Sequence, residues 1–115
     1  LAMTLDELEV AREWMMLLGR KTAREKITCL LSLIGRRTAS LHMQKLQDGL
    51  SFEMPMSREA MANYLGLTIE TVSRQMTALR KEGIITLAGT RDITIPDMAR
   101  LKAETGDEPM TGALN

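Results

Sequence analysis

Aromatic residues, cysteine and histidine are nearly missing from this chain of 115 residues: Trp14, Phe52 and Tyr64 are its only aromatics, Cys29 its only cysteine and His42 its only histidine. A single cysteine excludes an intramolecular disulfide and suits a reducing cytoplasm, where the protein is expected to reside. One histidine, with no cysteine or carboxylate neighbours at ligand spacing, offers neither a metal centre nor a nucleophile and its base. There is no glycine-rich phosphate loop either. An enzyme is therefore not expected; His42 reads as a surface residue and Cys29 as a core or boundary residue. No apolar run approaches the roughly 20 residues of a membrane span, and nothing resembles a secretory signal. Nor does either sign of charge dominate, with 15 basic residues against 15 acidic ones.

What is abundant is leucine and methionine. Hydrophobic residues make up 44% of the chain, and ten methionines stand in for the missing aromatic volume. Such a composition leans helical. The charges are also segregated. Asp6, Glu7, Glu9 and Glu13 against Arg12 give residues 1–19 a net −3, while Arg20, Lys21, Arg24, Lys26, Arg36 and Arg37 against Glu25 give residues 20–37 a net +5. A neutral total can thus hide a basic face for nucleic acid, although a charge run alone reads more readily as a solvated helix surface.

Local signals divide the chain. Thr4-Leu5-Asp6-Glu7 forms a capping box, and the helix it opens stops at Gly19. Leu8, Ala11, Met15 and Leu18 fall on an a/d seam along it. Two heptads do not separate a seam that pairs with a second chain from one packed inside a single domain. A second capping box, Thr22-Ala23-Arg24-Glu25, opens a helix whose buried stripe is Ile27, Leu30, Leu31 and Ile34. The pattern loosens from Arg37 to Gly49, and Ser51–Met56 reads as a short extended segment. Ser57 caps a helix ending at Gly66, Thr68 caps the next, and Gly83 ends that one. The runs Ile84–Leu87 and Asp92–Ile95, joined through Gly89, predict a two-stranded hairpin over 84–95. Pro96-Asp97 starts a short helix through Lys102. The polar tail 105–115 is expected to be flexible. The expected domains are 1–19 as the C-terminal part of a dimerisation helix, 20–104 as the main domain and 105–115 as the tail.

The stretch YLGLTIETVSRQMTALRKEG, Tyr64 to Gly83, carries the functional signal. On a wheel of about 100° per residue, Glu70, Ser73, Arg74, Thr77 and Lys81 share one arc while Val72, Met76 and Leu79 lie opposite. A solvated helix would look the same. Helix, tight glycine turn, amphipathic helix and β-hairpin in succession, however, spell a winged helix-turn-helix, mainly α with a small β-hairpin. In that arrangement the second helix, 69–82, enters the major groove of double-stranded DNA. Arg74 can bridge guanine O6 and N7, and Glu70 can accept from cytosine N4. Thr90 and Arg91, at the hairpin tip, are expected to touch phosphate, as are Ser57, Thr68, Thr71, Thr77 and Lys81 around the two caps and the outer stripe. The competing possibility is a winged-helix protein-interaction module with no sequence-specific DNA binding.

MSREAMANYLGLTIETVSRQMTALRKEGII resembles the DNA-binding helices of the Crp/Fnr family, nearest its FixK/Fnr-like branch. LLGRKTAREKITCLLSLI resembles that family's junction between dimerisation helix and DNA-binding domain. The resemblance runs from about Leu5 to Ile95. It implies a homodimeric transcription factor paired through Leu8, Ala11, Met15 and Leu18, with Glu70, Ser73 and Arg74 contacting bases and RNA polymerase as a further candidate partner. Relatives that sense cyclic AMP carry an arginine where this chain has Ile69, which points towards a TTGA…TCAA-like inverted repeat. Family members place a β-barrel sensor before the dimerisation helix, whereas this chain begins at Leu1, just ahead of that helix. It reads as a C-terminal fragment with no cofactor of its own, any sensor ligand belonging to an N-terminal domain. The cysteine cluster that holds an iron–sulfur centre in Fnr proteins cannot be built from Cys29 alone.

Overall fold

A computed structural model describes residues 4–7, 9, 21–42, 47–89 and 91–106. The seam residues Leu8, Ala11, Met15 and Leu18, and the wing residue Thr90, lie outside the described set. The first capping box is present at Thr4, whose hydroxyl accepts from the Glu7 amide at 3.2 Å, and residues 5–7 are helical.

The long helix α1 spans Ala23–Leu41. Its capping box is complete: the Thr22 hydroxyl accepts from the Glu25 amide at 3.1 Å, and the Glu25 carboxylate accepts from the Thr22 amide at 2.9 Å. Hydrogen bonding from the Thr22 backbone amide first, and then from the Thr22 side chain, holds the Glu25 carboxyl below its ordinary value. Ile27, Leu30, Leu31 and Ile34 are buried as the spacing predicts, and Cys29 is buried among them. The helix does not loosen at Arg37. It continues through Thr38 and Ala39, both buried, because β1 packs against it. Gly35 makes that approach feasible: a Cβ there would meet Leu50 at 3.3 Å and Phe52 at 3.4 Å.

The sheet corrects the two-strand expectation. The extended segment becomes strand β1 (Leu50–Glu53), and β2 (Thr86–Ala88) and β3 (Asp92–Ile95) form the hairpin. The order is β1-β3-β2, antiparallel throughout, with Phe52 opposite Ile93 and Leu87 opposite Ile93 on the other side. Alternation puts Leu50, Phe52, Ile93 and Ile95 inward. Ile84 and Ile85, expected at the start of the wing, are instead buried in succession before β2 begins. The Ile84 amide donates to the Leu79 carbonyl at 3.0 Å, so this residue still belongs to the preceding helix's end and cannot pair in a sheet.

Between β1 and β2 lie helices α2 (Arg58–Leu65) and α3 (Ile69–Lys81), packed on each other, with α3 also against α1. Helix α4 (Met98–Glu104) follows the sheet, capped by Asp97 and packed on α1 through the fully buried Leu101. It runs two residues beyond the expected Lys102. Thr105 is not part of a loose tail: it is fully buried, and its carbonyl accepts from the Lys21 ammonium at 2.9 Å and the Cys29 thiol at 3.4 Å. Residues 107–115 lie outside the described set.

Candidate nucleic-acid interface

Two helices joined by an abrupt turn define the surface. The Ser57 hydroxyl caps α2 by accepting from the Ala60 amide at 3.1 Å. Gly66 ends that helix at φ 68°, ψ 35°, left-handed backbone that a side chain would oppose, and the Leu67 amide closes the turn on the Ala62 carbonyl at 2.9 Å. Two residues later Thr68 caps α3, its hydroxyl accepting from the Thr71 amide at 3.1 Å and lying 2.9 Å from the Thr71 hydroxyl. The turn is therefore only as long as one reversal plus one cap.

Helix α3 is fixed from below and open above. Val72, Met76 and Leu79 are buried in the core. Glu70 and Arg74 project outward from the first two turns with side chains 79% and 70% exposed, joined by a 2.5 Å ion pair. Ser73 and Thr77 are half-buried at the flank of this face, and Lys81 is exposed at its far end. At such exposure an i,i+4 pair contributes only a few tenths of a kcal/mol to stability. Its effect is to tether two long side chains to each other near the N-terminal end of the helix. Ile69, half exposed, begins the same face.

A groove between α2 and the wing collects further predicted residues. Ser57 and Arg91 border it together with Arg58, over a floor that includes Met54, Met61 and Met76. The Arg91 carbonyl accepts from the Met54 amide at 2.8 Å, tying the hairpin to the residue after β1. Arg58 was not singled out from the sequence. The available signal was its place one residue after the Ser57 cap, which sets it on the first turn of α2. Thr71 is half-buried behind the Thr68 cap, so the two hydroxyls assigned to backbone contact are already engaged with each other.

The basic run of residues 20–37 fares differently from the expected solvated or DNA-facing surface. The Lys21 ammonium is bound to Thr105 as described, Lys26 donates to the Leu65 carbonyl at 3.1 Å, and Arg37 pairs with Glu7. Arg24 is the most engaged. Its Nη1 and Nη2 donate to Glu82 at 2.7 and 2.9 Å, and its Nε donates to Glu104 at 2.9 Å. Hydrogen bonding to Glu82 first, and then to Glu104, raises the Arg24 pKa above its already high ordinary value. The same bond from Arg24 holds the Glu82 carboxyl below the usual range. Lys21, Arg24 and Lys26 thus spend their donors on the C-terminal ends of helices, where free carbonyls accumulate.

Among the described residues no three His, Cys, Asp or Glu side chains are grouped to hold a metal ion, and Cys29 is buried. The residues described do not fit an iron–sulfur cluster. No described helix is long and apolar enough to cross a membrane.

A tight helix–turn–helix whose second helix bears an exposed polar face, flanked by a β-hairpin, defines a winged helix-turn-helix domain. Residues 24–104 match the Crp-like helix-turn-helix domain, and the chain belongs to the Crp/Fnr family. It is 56% identical over 108 residues to the transcriptional activator protein FnrL of Cereibacter sphaeroides, covering 94% of this chain and 44% of that protein. It is 42% identical over 101 residues to the nitrogen fixation regulation protein FixK of Bradyrhizobium diazoefficiens, covering 88% and 40%. The solved structure of FixK2 from Bradyrhizobium japonicum superposes with a TM-score of 0.59 at 36% identity, over 89% of this chain and 48% of that one. The chain therefore spans about two-fifths of the length of these curated relatives.

Proposed function

We propose that this protein is a sequence-specific DNA-binding regulator of transcription, not an enzyme, that reads a TTGA…TCAA-like inverted repeat as a homodimer through helix α3. The observation that carries this is the Glu70–Arg74 pair, exposed on the leading turns of a helix whose opposite side is locked into the core. In a major groove the guanidinium takes guanine O6 and N7, the Glu70 carboxylate accepts from a cytosine amino group, and Ser73 serves the adjoining base edge. Arg91 and Arg58 at the wing groove, with Lys81 and the Ser57, Thr68, Thr71, Thr77 and Thr90 positions, supply contacts to the phosphates. Pairing through Leu8, Ala11, Met15 and Leu18 would set two copies of α3 about 34 Å apart, one turn of DNA. The reading assigns no cofactor to these residues. It makes RNA polymerase a candidate partner, and the cytoplasm the place of action.

The decisive experiment is a fluorescence-anisotropy titration at fixed salt. It compares a TTGA…TCAA repeat, each single-base variant of it, a TGTGA-type repeat and unrelated duplex. Tighter binding to the first, by about 10³-fold or more over unrelated DNA, is the expected result. Equal affinity for all four would overturn the reading.

A further inference from the structure

Three charged residues in this domain each occupy the end of a helix that electrostatics disfavours. Arg24 is a cation in the first turn of α1; Glu82 caps the C-terminus of α3, and Glu104 is the last residue of α4. Helix dipoles favour the opposite sign at all three places. The three residues are nevertheless joined in one unit: Arg24 grips both Glu82 oxygens and one from Glu104, while the buried Thr28 hydroxyl lies 3.1 Å from the Glu104 carbonyl. Arg24 thereby donates from all three of its guanidinium nitrogens. A planar, fork-shaped cation holding one carboxylate bidentately fixes direction as well as distance, which an ammonium cannot do. A local preference given up three times, with the three charges then cross-linked, marks a constraint that acts beyond each helix.

That constraint has a definite geometry. Arg24 stands two residues after the Thr22 cap, where the chain enters α1 from its N-terminal side. Glu82 stands at the end of the helix that presents Glu70 and Arg74. Lys21 and Lys26 extend the grip on either side, to the ends of α4 and α2. We propose that Arg24 is a positioning residue, fixing the angle of α3 relative to the chain entering α1, so that this clamp sets the half-site spacing at which two copies engage an inverted repeat. The inference rests on the DNA-binding reading above.

Its test uses the full chain, with Arg24→Gln, Glu82→Gln and the double variant, on inverted repeats whose central spacer is the best one, one base pair longer and one shorter, and on a single half-site. Arg24→Gln removes a positive charge and Glu82→Gln a negative one. If only overall charge mattered, the first would weaken and the second strengthen binding on every duplex. Loss of the clamp instead makes both variants act alike: the preference for the best spacer over its neighbours falls to within about twofold, base preference on the half-site is kept, and the double variant is no worse than either single one. Circular dichroism checks folding, and Glu82→Gln, at a half-exposed position, keeps the test open should Arg24→Gln unfold. Variants that bind and retain the wild-type spacing preference overturn the clamp alone. A wild-type chain that binds no repeat overturns the DNA-binding reading and the clamp with it.

Discussion

Helices α1 and α3 both carry cations on one flank, and the two sets meet opposite fates. On α3, Arg74 is 70% exposed and forms its ion pair within its own helix, with Glu70. On α1, Arg24 is three-quarters covered and reaches two other helices. The difference lies in what faces each flank. The outer face of α3 carries exposed side chains, whereas around the start of α1 three helices end, each offering carbonyls or a carboxylate. An isolated helix surface leaves its charges available to a ligand; a convergence of helix ends consumes them. Basic residues counted along a sequence thus say little about a nucleic-acid surface until their partners are known.

The contrast can be broken from beneath. Leu79→Ala removes a fully buried side chain under α3 and should cost about 2–5 kcal/mol of stability, read by urea denaturation. Binding would fall with folding, and a variant that stays folded but loses base preference would mean that the packing face also shapes the reading face.

Arg74→Ala sharpens the comparison. On the exposed helix it should leave the melting temperature nearly unchanged while costing about 1–3 kcal/mol of affinity and erasing discrimination at one guanine. Glu70→Ala should keep or raise non-specific affinity, because a carboxylate near phosphate is removed, while specificity drops. Single-base variants of the repeat measure both, and two silent substitutions would reduce the Glu70–Arg74 pair to surface decoration.

Arg24→Ala should do the reverse and cost stability, at about 1 kcal/mol once solvent screening of its half-exposed partner is allowed for. This network and the neighbouring Thr22–Glu25 capping box should both respond to acid. The Glu82 and Glu25 carboxyls titrate below their ordinary range when folded, so their contribution is whole above the unfolded carboxylate pKa and is lost as pH falls through the folded values. Denaturation midpoints should therefore be flat above about pH 5 and decline below about pH 4. Glu82→Gln should flatten part of that decline; an unchanged pH profile would deny the pair its role.

The smallest effect belongs to the wing. Arg91→Ala should weaken binding to every sequence alike and reduce the salt slope by about one unit. A shift in base preference would move Arg91 from positioning to reading.

Much of this was legible before the structure. The caps at Thr22, Ser57 and Thr68 announced three helices because a hydroxyl before a helical pattern has one good use, and the wheel separated Val72, Met76 and Leu79 from Glu70 and Arg74 correctly. What sequence could not supply was pairing between distant segments. The partner of β1 is β3, and that contact keeps α1 helical past Arg37, where its own periodicity has faded. Nor could the basic run reveal its partners, since Glu82 and Glu104 lie 58 and 80 positions away from Arg24. Burial of Thr105 followed from the same blind spot: a polar residue near a glycine reads as tail until Lys21 and Cys29 are seen to meet it.

The strand order β1-β3-β2 has a consequence for how the domain can be assembled. Ser51 and Thr94, whose hydroxyls meet at 2.6 Å, are 43 positions apart, and the turn and both of its helices lie inside the loop that they close. Closing so long a loop costs entropy before it returns any contact, so the β1–β3 pairing should form late, around helices already docked. As translation proceeds from the N-terminus, everything through α3 leaves the ribosome before the strand that fastens it. Until β3 arrives, Leu50 and Phe52 have no sheet to join. A chain halted near Gly83 would hold both helices of the turn and still lack its clasp.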